Sequence, residues 1–537
     1  MDTTRKKRAQ VPKYVSPKQL VLSGFESPFE KSLNPKNRWV VLAHLIPWDE
    51  ICNLYLKLVS ISNTGRPPLN PRIVIGSLII KHLCNLDDRE AVDQISENIY
   101  MQYFLGYPSF TDEAPFDASL FVEFRKRIGM ENVNAINEKI VQLKTNLEKP
   151  KQPVDSITNN DNVSNSSCEP SEVTHSGRVI FDATACPQDI AYPTDLNLLS
   201  DAREKSEELI DKIYNITLHN KKPRTYRKVA RKRYLNTAQK KRKTGKVIRK
   251  AVGSQLNYLG RNIKSINKLL NAYKSVESLQ NEHEATGSQS KPAFPLTPKE
   301  QKYLFVIQTL YLQQKQMFDD KTNKIDHRIV SIHQPHVRPI VRGKAQAKVE
   351  FGPKIHLSVI NGISFLDELS WDAFNEGSHI NDYVEKYSKR FGCYPREVLA
   401  DQIYCTRVNR ALLKEKGIKL LAKPLGRPSA VKIHLSPGER NPIEGKFGQA
   451  KTAYGLNRIK ARLQGTSESW IATIILVLNL VKLAGVALPC AMTKLALSFS
   501  ARLLKNLMSD SYQVIYNLYL LWNEIFNSRQ VITRNWV

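Results

Sequence analysis

Apolar positions in the first 145 residues recur at helical spacing. Between Pro71 and Leu83, the residues Ile73, Val74, Leu78, Ile79 and Leu83 keep close to one side of a helix. A similar period runs through Ala91-Val92-Asp93-Gln94-Ile95 and again from Phe121 to Ile128. Pro67-Pro68, Pro108 and Pro115 cut this pattern into short pieces, which predicts a compact bundle of short helices, compatible with a helix-turn-helix type. Residues 149–177 are rich in Pro, Asn, Ser and Asp and poor in apolar residues, and they predict a flexible linker.

The pattern then changes twice. Arg178 to Asp182 is an apolar run ending in an acid, as a buried strand would. Residues 200–345 come next as one insertion. A second soft stretch lies at about 281–296. Thr297-Pro298-Lys299-Glu300 is then a capping box with proline in the first turn. It opens a helix carrying Tyr303, Val306, Ile307, Leu310 and Leu312. Beyond 345, Lys354–Ile360 alternates like a strand around Ile355, Leu357 and Val359. Asn361-Gly362 is a hairpin turn into a second strand from Ile363. His379–Phe391 predicts a helix, Glu397–Ala400 a strand, Ile418–Ala422 a short strand, and Asn441 onward another helix. The order predicts an α/β fold with a sheet of mixed direction. Trp470 to Leu488 is largely apolar but broken by Asn479 and Lys482. Its uninterrupted apolar run falls well short of the roughly 20 residues a bilayer span needs, and the segment predicts a buried helix.

Charge narrows the function. The 537 residues carry a formal net charge of +29, with a pI near 9.7. Such a balance favours a polyanionic partner. Between Lys221 and Lys250 half the residues are Lys or Arg and none is acidic. This stretch holds Arg231-Lys232-Arg233 and Lys240-Lys241-Arg242-Lys243, with Tyr226, Val229, Tyr234 and Leu235 interleaved. Counterion release at a phosphate backbone is the natural use of such a segment. The aromatics either stack on bases or pack between helices. The N-terminal bundle serves either as a DNA-end-binding or dimerisation domain or as plain packing helices. Seven cysteines without a C-x-x-C pair suggest a reducing compartment and no structural zinc. No signal peptide is apparent at the start of the chain.

Three acids stand where chemistry could use them. Asp182 ends one strand, Asp401 ends another, and Glu444 lies in Arg440-Asn441-Pro442-Ile443-Glu444. Asn441-Pro442 resembles a cap followed by proline in the first turn, with Glu444 one turn in. Arg440, Glu444 and Lys451 fall within roughly 40° of one helix face, and Ile443, Phe447 and Tyr454 lie on the other. Two or three rigidly placed carboxylates suffice to hold two divalent cations about 4 Å apart. An ordinary amphipathic helix, with Glu444 paired to Arg440 and Lys451 at the surface, has the same spacing. Asp189, Asp195 and Asp367 read as surface or turn acids.

The stretches Ile180-Phe181-Asp182-Ala183-Thr184, Leu399-Ala400-Asp401, Arg440 to Gly448 and Lys451-x-x-Tyr454-Gly455-Leu456 resemble the DDE transposases of bacterial insertion sequences. So do Arg328–Ile332 leading into Arg338–Lys344, and Asn37-Arg38-Trp39-Val40 with Ile46-Pro47-Trp48. The resemblance implies an RNase H-like mixed sheet with flanking helices. It implies catalytic and metal-binding roles for Asp182, Asp401 and Glu444, and two Mg²⁺ ions with Mn²⁺ as a substitute. It implies DNA contact by Arg440 and Lys451, and double-stranded DNA, as transposon ends and target, for partner. Pro437 stands where the family has a tyrosine. Basic residues Arg231, Lys232, Arg233, Lys241, Arg242 and Lys243 are the remaining DNA-contact candidates. The resulting layout is a helical DNA-binding or dimerisation domain over 1–148 and a linker over 149–177. A catalytic domain over 178–490 comes next, interrupted by the basic helical insertion 200–345, with C-terminal helices over 491–537. The resemblance further implies a dimer or higher oligomer on DNA, a cytoplasmic, nucleoid-associated location and no membrane. A non-catalytic DNA-binding derivative and a metal-dependent nuclease are the alternatives.

Overall fold

The computed structural model describes residues 33–57, 69–147, 175–281, 294–341, 349–422 and 438–485. Most of the expected linker, Arg342 to Lys344, Pro437 and the expected helices of 491–537 lie outside the described residues. The chain divides into two compact units, Met1–Asn479 and Leu480–Val537. The first carries the sheet and the bundle packed on it.

The N-terminal part is helical, as its periodicity predicts: α1 (Arg38–Leu45), α2 (Trp48–Leu56), α3 (Pro71–Cys84), α4 (Asp88–Glu97), α5 (Ile99–Leu105) and α6 (Leu120–Leu147). Local chemistry starts these helices. Asn37 and Asn70 accept the backbone N–H groups of Trp39 and Arg72, and Asp87 with Glu90 closes a full capping box. Trp39 and Trp48 are buried against Phe104, with ring centroids 5.4 and 5.3 Å away.

After β1 (Arg178–Ala185) the chain builds the insertion from α7 (Asp195–Ile213), α8 (Arg227–Ala238), α9 (Gly245–Asn281) and α10 (Pro298–Asp319). The insertion has its own core. Leu199, Ala202 and Ile210 of α7 meet Leu256, Leu259 and Ile266 of α9 and Ile307 and Leu310 of α10. The capping box at Thr297 and Glu300 forms as expected. Leu312 departs from the expected apolar stripe of α10: it is 67% exposed, because α10 buries only the side carrying Val306, Ile307 and Leu310. A short hairpin of β2 (Pro339–Val341) and β3 (Val349–Phe351) returns the chain to the sheet.

The sheet continues with β4 (Lys354–Ile360), β5 (Ile363–Ser370), β6 (Glu397–Leu399) and β7 (Lys419–Leu421), with α11 (Ile380–Phe391) and α12 (Arg407–Glu415) as crossovers. Its strand order is β5-β4-β1-β6-β7. β1, β4 and β5 are antiparallel neighbours, while β6 and β7 run parallel to β1. The β4–β5 turn is the expected Asn361-Gly362, both with positive φ, 50° and 80°. α13 (Asn441–Ala453) and α14 (Gln464–Ala484) complete the fold. α14 is long and apolar enough to cross a membrane, but Trp470 to Asn479 is buried inside the protein as a core helix.

Asn479, which interrupts the apolar run of α14, has a specific use. Its side-chain N–H donates to the Ser364 carbonyl (2.7 Å) and to Asn137 Oδ1 (2.8 Å), and its oxygen accepts the Ser364 N–H (2.8 Å). All three residues are buried. The interruption therefore ties α6, β5 and α14 together through one buried hydrogen-bonded cluster, in which the Ser364 hydroxyl alone has no partner among the described residues. Trp470 of the same helix lies under Lys81 and beside His82 of α3. Replacing Asn479 by Ala leaves the Ser364 N–H buried without a partner. The expected cost is about 1–3 kcal/mol, read as a lower urea midpoint. An unchanged midpoint would contradict this clamp.

Candidate active site

Parallel pairing places two acids side by side. β1 and β6 pair with Ile180 opposite Leu399, so Asp182 and Asp401, each two residues further on, stand in step. Asp182 is held within the sheet by its pairing with Leu357 of β4, and its neighbours Phe181, Ala183 and Thr184 are buried. Its Oδ1 accepts the Ala183 N–H at 2.8 Å. Asp401 comes just after β6 and caps a 3-10 turn, Gln402–Tyr404, by accepting the Gln402 N–H at 2.7 Å. Its side chain is 57% exposed, against 20% for Asp182.

Arg440 joins the pair. It stands at the head of α13, one residue before the helix and in the cap position expected for Asn441. Nη2 lies 3.2 Å from Asp182 Oδ2, and Nη1 lies 3.2 Å from Asp401 Oδ1. α13 can deliver it because Ile443, Phe447 and Ala450 bury the other side of the helix. Tyr454, just after the helix, is buried as well. Sequence spacing turns Arg440 toward DNA phosphates; the structure turns it onto the aspartates. Glu444 is in the first turn of α13, as expected, but is exposed and is not gathered with the pair. Lys451 is half-buried in the last turn. Among the described residues, no three Asp, Glu, His or Cys side chains converge as a ready-made metal cage.

Two further residues border the site. Glu376 lies in a 3-10 turn, Glu376–His379, and ion-pairs with Lys354. This turn packs on the one after Asp401: a Cβ on Gly377 would sit 2.5 Å from the Ile403 carbonyl oxygen, so glycine is required there. Burial raises the Asp182 carboxyl above the usual carboxylate range. Arg440 and the Ala183 N–H pull it down, and Glu376 and Asp401 push it further up. Tyr404 is fully buried, and its hydroxyl has no hydrogen-bond partner among the described residues. Burial, then Glu376 and Asp182, raise its pKa. No periodicity marks Glu376 in the sequence; the Asn375 side chain capping the Gly377 N–H is its only local signal.

The donor set suits a hard divalent cation. Asp182 and Asp401 offer carboxylate oxygens. A cationic group, the Arg440 guanidinium, already lies between them at hydrogen-bond distance. Two adjacent carboxylates with one partly buried favour any such cation.

Asp367 departs from its expected place among the surface or turn acids. It is buried inside the sheet, with Arg390 Nη1 2.6 Å and His356 Nδ1 3.2 Å away. Burial pushes its carboxyl up, but His356 and Arg390 outweigh it and leave it below the usual range. Asp189 pairs with Arg458 and Asp195 with Arg328, as peripheral acids. Neither belongs to the site.

The basic candidates stand on the insertion instead of at the aspartates. Arg231, Lys232 and Arg233 are exposed on α8, and Lys241, Arg242 and Lys243 are exposed in the turn before α9. Arg233, Lys246, Arg249 and Lys250 line an open cleft of about 520 Å³ with Phe318 as one wall. Arginines lie on aromatic rings around it: Arg249 on Phe318 at 4.1 Å and Arg233 on Tyr258 at 5.8 Å. Tyr226 and Val229 are exposed, whereas Tyr234 and Leu235 are half-buried, so the interleaved apolar residues divide between surface and packing.

Known proteins share parts of this chain. Residues 27–127 match the family model described as Transposase domain (DUF772), and residues 398–481 match the one described as Transposase DDE domain. Asp401, Arg440, Glu444 and Lys451 fall in the second stretch; Asp182 falls in neither. The chain is 32% identical over 179 residues to "Uncharacterized protein ORF8 in nfe locus" of Rhizobium meliloti, covering 32% of this chain and 73% of that protein. No solved structure matches the chain.

The raised pKa of Asp182 has a stability consequence. An acid whose folded pKa is raised favours the folded state at low pH, and that contribution is lost as pH rises through the folded value. At neutral pH the metal-free protein therefore carries a cost at Asp182. Asp182→Asn is expected to raise the thermal midpoint at pH 7, with the gain disappearing below the ordinary carboxylate pKa. A lowered midpoint at pH 7 would contradict this electrostatic cost.

Proposed function

The chain belongs to the DDE transposases of insertion sequences, and from that premise we propose that Asp182 and Asp401 form its metal-dependent centre for DNA cleavage and joining, with Glu444, which stands apart from the pair on the first turn of α13, as the third ligand that the family resemblance implies. The observation that carries this reading is the aspartate pair set in step by neighbouring parallel strands, Asp182 within β1 and Asp401 two residues past β6, bridged by one cationic side chain. We read the sheet as RNase H-like: three antiparallel strands extended by two parallel ones, with acids on the first strand and just past the fourth.

Asp182 and Asp401 would hold Mg²⁺, two ions in the full reading, with Mn²⁺ as a substitute and Glu444 as the third ligand. The bound metal polarises the phosphodiester and lowers the pKa of the attacking oxygen's proton. The protein's own part is rigidity. Asp182 is fixed by its strand and the Ala183 N–H, and Asp401 by the turn it caps. Water attacks the phosphorus at the element's end, and the P–O bond to the 3′ oxygen breaks. The freed 3′-hydroxyl then attacks a target phosphodiester in line and displaces a second 3′ oxygen. Arg440 and Lys451 would position phosphates around this exchange. The exposed cations of α8 and the turn after it would hold duplex DNA without regard to sequence, as would suit an enzyme working on the nucleoid in the cytoplasm.

The test is cleavage and joining in vitro with DNA carrying the element's own ends. With Mg²⁺, wild type is expected to yield cut and joined products. Asp401→Asn is expected to lower both by roughly a thousandfold or more. Cleavage without joining would reduce the protein to a nuclease. Salt-sensitive binding with no cleavage would mark a non-catalytic derivative.

A further inference from the structure

Arg440 occupies a position with two competing claims on it. Its guanidinium spans Asp182 and Asp401, 3.2 Å from each, and its side chain is only 20% exposed. A planar fork of N–H donors satisfies two carboxylates at once, and it fits a phosphate equally well. The carboxylates in turn attract any cation that reaches them.

We propose that Arg440 is an internal competitor for the metal-binding carboxylates, and that a DNA phosphate opens the pair to the divalent cation by drawing Arg440 away. The inference rests on the metal-site reading above and adds the order of events. Loading of the centre becomes coupled to substrate, so the two ligands favour each other by linkage. Three features make the movement cheap. Arg440 precedes α13, and its side chain makes no capping bond, so its departure breaks no helix hydrogen bond. Its Nε has no hydrogen-bond partner among the described residues, leaving the guanidinium tied through its two Nη atoms alone. The helix behind it stays anchored by Ile443, Phe447 and Ala450, so the change is confined to one side chain. Arg440 is thus a positioning residue that acts through Asp182 and Asp401.

The test reads metal binding, not turnover. The full chain is titrated with Mn²⁺ and free ion is followed by electron paramagnetic resonance, with and without a short duplex carrying the element's end. Without DNA, Arg440→Gln is expected to bind Mn²⁺ roughly tenfold more tightly than wild type. Arg440→Lys keeps the charge but cannot span both carboxylates, and it should fall between them. Adding duplex should tighten wild type and leave Arg440→Gln nearly unchanged. Equal or weaker Mn²⁺ binding by Arg440→Gln and Arg440→Lys without DNA, in proteins whose circular dichroism matches wild type, overturns the proposal. Asp401→Asn separates the two levels. Loss of Mn²⁺ binding in that variant keeps the metal site standing whatever Arg440 does. Unaltered binding removes the metal site, and this inference with it.

Discussion

Asp182 and Asp401 are forced together by strand pairing, and like charges held together need a cation between them. β1 and β6 run parallel, and the pairing of Ile180 with Leu399 sets the two acids in step. Arg440 answers that need within the protein. The surrounding architecture serves the same arrangement. α13 buries Ile443, Phe447 and Ala450, and Arg440 at its head reaches both aspartates. The Glu376 turn packs against the turn after Asp401, which holds the second carboxylate in place and adds negative potential around the first. Desolvating a partly buried carboxylate costs stability unless it is paired. Arg440 offsets only part of that cost, because the Asp182 carboxyl stays above the usual range even beside it.

The insertion gains meaning from where it leaves the sheet. It departs from the carboxyl end of β1, the end toward which β6 also points and after which Asp401 lies. Its own hydrophobic core holds its helices together, with α8 and the start of α9 presenting cations outward. Arginines held against Tyr258 and Phe318 would lose less side-chain entropy on meeting a phosphate than free ones would. The N-terminal helices meet the sheet through the Asn137–Ser364–Asn479 cluster and through Glu138, whose Oε1 lies 2.6 Å from Arg390 Nε. Arg390 in turn holds Asp367 under the sheet. A chain of polar contacts thus links the N-terminal helices to the middle of the sheet.

Much of the fold was legible in the sequence, because strands, caps and turns are local. Alternation marked β4, Asn361-Gly362 marked its turn, and the capping box at Thr297 marked the start of α10. The apolar run before Asp401 marked it as the acid just past β6, whereas β1 runs on beyond Asp182 to Ala185, because Ala183, Thr184 and Ala185 keep pairing with β4. What escaped was long-range pairing. Arg440 lies 258 residues from Asp182 in the chain, so nothing near it could say that it would turn inward. Asp367 read as a surface or turn acid, and its buried role depends on His356 and Arg390, brought there by other elements. Glu376 lies in a turn without periodicity. Leu312 kept helical spacing on α10, but that side of the helix stays open to solvent.

The central claim is that Asp182 and Asp401 hold the catalytic metal. Iron-directed cleavage tests it most directly. Fe²⁺ replaces Mg²⁺ in the full chain, ascorbate generates hydroxyl radicals at the bound ion, and the cut sites in the backbone are mapped. Cuts are expected beside both Asp182 and Asp401, suppressed by excess Mg²⁺ and absent in Asp401→Asn. Cuts confined to other segments, with the backbone around Asp182 and Asp401 intact, would contradict the claim.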